Sequence, residues 1–212
     1  RLVVGSANLT TNGYRLNREA IVVLQAGPKS PAEAALLLEA LDPMPSPLFP
    51  FHPKLLGTGA NMAFRTEALR HLGGFDPVLG AGTPARGGED IDIAVRVLLA
   101  GHLLVRQPAA ILWHPSHTSE DDLVRQIEGY GCGLAAVFTK FMSQRRTAPA
   151  VLRRAGVGAR TLFSPRSSKN VGRSATYPVE LRRAELRGLR QGPMAYRASV
   201  RNHRRITEAD AA

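Results

Sequence analysis

Two glycines, Gly88 and Gly101, bracket an apolar helix from Asp90 to Ala100, and the residues that open it, Glu89 and Asp90, are both acidic. The first N–H groups of a helix are unpaired and its dipole end is positive, so carboxylates there are stabilised as anions and held at one edge of the fold. A carboxylate fixed in this way can serve as a base; the same residues are also those of an ordinary capped helix start. Asp92, two positions on, lies roughly 200° round the helix from Asp90 and is expected to be solvated or to pair with a loop. The loop before the helix, Gly80 to Gly88, has four glycines and a proline in nine positions. Such backbone can approach a ligand closely, and Arg86 within it suits a diphosphate or an acidic sugar; a surface loop is the other reading.

The rest of the chain reads as alternating strands and helices, an α/β pattern. Leu2 to Val4 and Ala20 to Leu24 are strand-like, with a polar turn through Thr11, Asn12 and Gly13 between them. Pro31 to Leu41 has strong helix propensity, and Pro43, Pro45, Pro47 and Pro50 then form a boundary. Asn61 to Phe64 reads as a strand end feeding the helix Thr66 to Leu72, which stops at Gly73 and Gly74. Leu103 to Val105 and Ala110 to Trp113 are strand-like. Ser119 and Asp122 form a capping box for a helix to about Met142, whose apolar residues Leu123, Ile127, Tyr130, Leu134, Val137, Phe138 and Phe141 share one face, expected to pack on the sheet. Beyond it, Ser164 to Ser174 is loop-like and Val179 to Leu189 is a helix.

Hydrophobic residues make up 44% of the 212-residue chain and charged residues 21%, a globular balance. No uninterrupted apolar run reaches the roughly 18 residues that span a bilayer, and no leader segment is visible at Arg1. The single cysteine, Cys132, lies between glycines and is expected to be a packed thiol, fitting a reducing cytoplasm. The net charge of +11 is concentrated: from Phe141 onward there are 16 Lys or Arg against 4 Asp or Glu, whereas the preceding residues carry 12 and 13. A basic tail of this kind favours anionic partners. It has few aromatic residues and no nucleic-acid module, so an anionic membrane surface is the expected partner and nucleic acid is not.

Four segments occur in order: Gly57-Thr58-Gly59-Ala60-Asn61-Met62-Ala63-Phe64-Arg65, Leu72-Gly73-Gly74-Phe75-Asp76, the glycine loop into Glu89-Asp90, and Trp113-His114. Together with Tyr130-Gly131-Cys132-Gly133, the stretch Ser164 to Asn170, and Gly192-Pro193, this order resembles the acceptor-side half of a family 2 glycosyltransferase with the GT-A fold, over roughly Leu48 to Tyr196. The resemblance implies a partial GT-A (nucleotide-diphospho-sugar transferase-like) fold followed by a basic helical tail. Residues 1–47 would stand apart, 48–142 would form the acceptor-side half, and 143–212 a basic, largely helical extension. It implies inverting transfer of a sugar from a nucleoside diphosphate sugar to a hydroxyl acceptor, as in cell-envelope glycan synthesis, at the inner face of the membrane.

By the same resemblance Asp90 is the base and Glu89 helps bind the acceptor. Gly59 and Asn61 line the donor sugar and acceptor, Arg86 and Gly88 belong to the substrate loop, and His114 completes a site for a divalent metal, Mg²⁺ or Mn²⁺, or for the diphosphate. Taken alone, His114 and His117 are weak metal evidence, and a structural hydrogen bond at a strand end accounts for His114 equally well. Similar enzymes carry an Asp-x-Asp pair in an earlier nucleotide-binding half. None precedes Asp90 here, so the donor-binding half is expected to be missing and the chain to be a fragment; a binding or membrane-associated module without turnover is one alternative, and a phosphodiesterase remnant at the N-terminus the other.

Gly5, Ser6 and Asn8, followed by Asn17 to Ala20, resemble instead the downstream end of a phospholipase-D-like motif, in which this segment hydrogen-bonds a phosphate. The histidine and lysine of that motif would precede Arg1. His52 and Lys54 have the right mutual spacing but follow Asn8, and Gly59 stands where the aspartate belongs, so they are read as coincidence.

Overall fold

The computed structural model describes residues 2–5, 15–17, 20–24, 47–51, 59–107, 112–114, 119–164, 167 and 177–210. They fall into two compact units, one of residues 1–45, 52–76 and 89–122, the other of 46–51, 77–88 and 123–212. These units do not follow the three consecutive stretches read from the sequence, because the glycine loop 77–88 groups with residues from 123 onward. Helices account for most of the described residues, alongside the strands that an α/β reading requires.

In the first unit, strands β1 (Leu2–Gly5), β3 (Ala20–Leu24), β4 (Met62–Arg65) and β5 (Leu103–Gln107) form one sheet in the order β1-β4-β3-β5. β3 and β4 are parallel, with Val22 opposite Ala63, while β1 and β5 run antiparallel to their neighbours. A separate antiparallel pair joins β2 (Arg15–Asn17) to β6 (Leu112–His114). β2 was not expected, and β6 carries His114 inside the strand, not after it.

β4 is apolar and buried at Met62, Ala63 and Phe64, and leads directly into helix α1 (Thr66–His71). That helix stops where expected: Gly73 and Gly74 take positive φ angles, 77° and 74°, and their N–H groups bond back to Arg70 O and Leu69 O. Helix α2 (Glu89–Leu99) buries Asp92, Ile93, Ala94, Val95 and Val97, so it is enclosed on most sides. The helix expected over Pro31 to Leu41 lies outside the described residues.

The second unit is built on helices α3 (Glu120–Ser143), which enters it at residue 123 after a first turn in the first unit, α4 (Ala148–Phe163) and α5 (Val179–Asp210). The capping box of α3 is present, with Asp122 N donating to Ser119 Oγ at 3.1 Å and Ser119 Oγ donating to Asp122 Oδ2 at 2.6 Å. Its buried face includes Val137 and Phe141, as expected, but extends over small residues. Tyr130 is 49% exposed, whereas Gly129, Gly131, Cys132, Gly133 and Ala136 are buried, because the packing partners are the backbones of α5 and of the loop 77–88.

A Cβ on Gly131 would collide with Glu185 O, one on Gly188 with Glu128 O, and one on Gly192 would lie 2.7 Å from Cys132 O. Absent side chains let the two helices approach through their backbones. α5 was expected to end near Leu189, yet it continues through Gly192 and Pro193 to Asp210. A proline in a helix interior forfeits one N–H bond, and here the packed small-residue face carries the helix past it. Phe51 completes the local core, its ring 5.6 Å from that of Phe141, edge to face.

Candidate functional site

The acidic start of α2 is tied to the short 3₁₀ turn Gly59–Asn61 that precedes β4. Gly59 N donates to Asp90 Oδ2 at 3.0 Å, and Ile91 N donates to Asp90 Oδ1 at 2.8 Å. Each carboxylate oxygen is thereby oriented by one backbone N–H, and an ionised carboxylate has a second lone pair on each oxygen. Gly59 is buried and Asn61, the last residue of the same turn, is half-buried. The Gly59–Asn61 turn and the start of α2 thus meet at Asp90 in the first unit.

Glu89 and Asp90 differ in environment. Burial pushes the Glu89 carboxyl above its usual range, with the neighbouring Asp90 charge adding to the rise and backbone hydrogen bonding opposing it. Glu89 therefore holds its proton to higher pH than an exposed glutamate.

Asp92 is not solvated. Its side chain is fully buried and bonds Arg96 Nε at 2.8 Å, one turn on. Arg96 in turn donates to Leu72 O at 2.6 Å and Gly74 O at 2.7 Å, so the pair fastens α2 to the turn that ends α1. Asp92 pairs within its own helix, and it is Arg96 that reaches the turn. An aspartate four residues before an arginine on an apolar helix was the signal for it.

Arg86 and Gly88 belong to the second unit, and each has a packing partner there. The loop is closed on itself by Gly80 N to Gly87 O and by Arg86 N to Thr83 O, and Ala85 N donates to the buried Ser199 Oγ of α5 at 3.0 Å. Arg86 takes φ 64°, a left-handed conformation uncommon outside glycine. Its guanidinium donates to Glu128 Oε1 at 3.2 Å and to Arg125 O at 3.0 Å. Glu128 also accepts from Arg187 and Gln191 of α5, and these bonds outweigh burial and hold its carboxyl below the usual range. At Gly88, φ is 95° and a Cβ would lie 2.7 Å from Gly133 O, so glycine is required for backbone shape and for space alike.

Cys132 is a buried thiol whose Sγ faces Pro84 O at 3.8 Å, and burial pushes it up in pKa, as befits packing. His114 is described through its backbone, opposite Arg15 in the β2–β6 pair; His117, Ser6 and Asn8 lie outside the described residues. Among the described residues no three His, Cys, Asp or Glu side chains gather as a metal ion requires.

No protein-family model matches the chain, and no solved structure matches it. Among curated proteins, the pre-mycofactocin glycosyltransferase of Mycobacterium tuberculosis, in strains CDC 1551 and H37Rv, is 28% identical over 134 residues. The match covers 62% of this chain and 27% of the mycobacterial protein. Over that segment the chain is a distant, partial relative of a glycosyltransferase.

Proposed function

We propose that this chain contributes the acceptor-activating part of an inverting glycosyltransferase, with Asp90 as the base. The observation that carries the reading is the Asp90 carboxylate at a helix N-terminus, oriented by Gly59 N and Ile91 N, in a chain distantly related to a glycosyltransferase. In such a transfer the acceptor hydroxyl loses its proton as its oxygen attacks the anomeric carbon, and the nucleoside diphosphate leaves from the opposite face. Asp90 takes that proton on a lone pair not used by the two backbone donors.

Glu89, whose carboxyl burial raises above its usual range, hydrogen-bonds an acceptor hydroxyl, and Asn61 faces the sugar from the neighbouring turn. A divalent ion, with His114 among its ligands, would supply charge neutralisation for the leaving diphosphate when bound.

The test is transfer from UDP-, GDP- and dTDP-sugars to a panel of hydroxyl acceptors, read as release of nucleoside diphosphate together with the anomeric configuration of the product. A product of inverted configuration is expected. Retention of configuration would remove a single-displacement role for Asp90.

A further inference from the structure

Helix α4 has two faces of opposite kind. One is docked within the second unit: Val151 is buried, Arg154 Nε donates to Phe49 O at 2.9 Å, the Arg154 guanidinium lies 5.9 Å from the centre of the Phe51 ring, and Gly158 faces Leu48. The other face carries Leu152, Gly156, Ala159 and Phe163, which at 3.6 residues per turn fall within an arc of roughly 60°. Leu152 is 57% exposed and Phe163 55% exposed.

Exposed Arg153 and Arg160 line one edge of this stripe, and exposed Arg145 and Arg146 stand in the turn before the helix. The charge on the flanking stretch of chain has a single sign. Between Glu128 and Glu180 the sequence has nine Lys or Arg and no Asp or Glu. An apolar stripe with an arginine edge and no acidic residue is the pattern of a helix that lies in a headgroup layer, its apolar side chains reaching the acyl boundary and its guanidinium groups meeting lipid phosphates.

We propose that α4 is a docking face for an anionic lipid bilayer, with Leu152 and Phe163 inserted and Arg153 and Arg160 on the phosphates. Charge complementarity selects the anionic surface, and the stripe selects a lipid over a nucleic acid, whose phosphates would satisfy the arginines and leave Leu152 and Phe163 in water. No helix among the described residues is long and apolar enough to cross a membrane. This docking does not depend on glycosyl transfer.

The test is co-sedimentation of the whole chain with vesicles of phosphatidylcholine alone, or of phosphatidylcholine with phosphatidylglycerol, using Leu152→Ser with Phe163→Ser, Arg153→Gln with Arg160→Gln, and Phe163→Trp. Binding to the phosphatidylglycerol vesicles only is expected, weakened about fivefold for each arginine removed and about tenfold or more by the serine pair. Phe163→Trp should shift its emission to the blue on those vesicles, beyond the change shown by the wild type, which has Trp113 alone. That signal reads the same contact should the serine pair fail to fold. No binding, equal binding to phosphatidylcholine, a folded serine pair that binds as wild type, or a Phe163→Trp emission that shifts no more than the wild type's would each overturn the proposal.

Discussion

The buried carboxylate of Asp92 holds Arg96 at 2.8 Å, and through Arg96 it grips the carbonyls of Leu72 and Gly74. The helix that presents Asp90 is thereby fixed to the end of α1 by charge-assisted bonds. Removing one partner leaves the other buried without its counter-charge, a loss of about 3 to 5 kcal/mol for a fully buried pair. Arg96 retains 20% side-chain exposure, which places Asp92→Ala near the lower end. Urea unfolding should show a loss of about 3 kcal/mol, with Asp92→Asn losing less because a neutral acceptor remains.

Glycines within one unit should respond in opposite directions to the same substitution. A Cβ on Gly188 would meet the backbone of α3, whereas one on Gly156 meets nothing within 4 Å. Replacing either with alanine gains up to about 1 kcal/mol of helix propensity. At Gly156 that gain is realised, so Gly156→Ala should raise the melting temperature by about 2 to 4 °C. At Gly188 the helices must separate, and Gly188→Ala should lower it, the overpacking cost of about 1 to 3 kcal/mol exceeding the gain.

Glu89 weakens the fold at neutral pH. Its carboxyl is raised above 4.5 by burial and by Asp90, so the folded chain binds its proton more tightly than the unfolded chain. The resulting destabilisation is absent below the unfolded value and grows as pH rises through the folded one. Glu89→Gln should therefore be more stable than wild type at neutral pH, with the difference vanishing below about pH 4. Thermal melts across pH provide the check.

Glu128 behaves in the opposite sense. Despite the opposing effect of burial, the bonds from Arg187, Gln191 and Arg86 lower its carboxyl below 4.5, so its stabilisation is present above the unfolded value and lost as pH falls through the folded one. Glu128→Ala should be less stable than wild type at pH 7, by about 1 to 3 kcal/mol, and should converge with it in strong acid. A difference that persisted unchanged in acid would point to packing in place of charge.

Local chemistry was legible in the sequence wherever it repeated a strong rule. The capped start of α3 at Ser119 and Asp122, the glycine stop of α1 and the strand Ala20 to Leu24 are set by adjacent residues, and they appear as read. The packing face of α3 is legible only in part: Val137 and Phe141 are buried as the apolar spacing predicts, but Tyr130 is exposed and the glycines at 129, 131 and 133 mark the close-packed side. A spacing of four, Ala184, Gly188 and Gly192, was the sign that α5 would approach it closely and run past Pro193. Arg86 was read as a ligand for anions, since nothing near it in the chain announces Glu128, 42 residues away.

Catalysis by Asp90 is tested most directly by the rate of sugar transfer in Asp90→Asn beside wild type, with far-ultraviolet circular dichroism to verify the fold. Asparagine keeps an acceptor for only one of the two N–H groups and cannot take a proton, so a fall of roughly 10²- to 10⁴-fold is expected. Transfer by Asp90→Asn at the wild-type rate would contradict its role as the base.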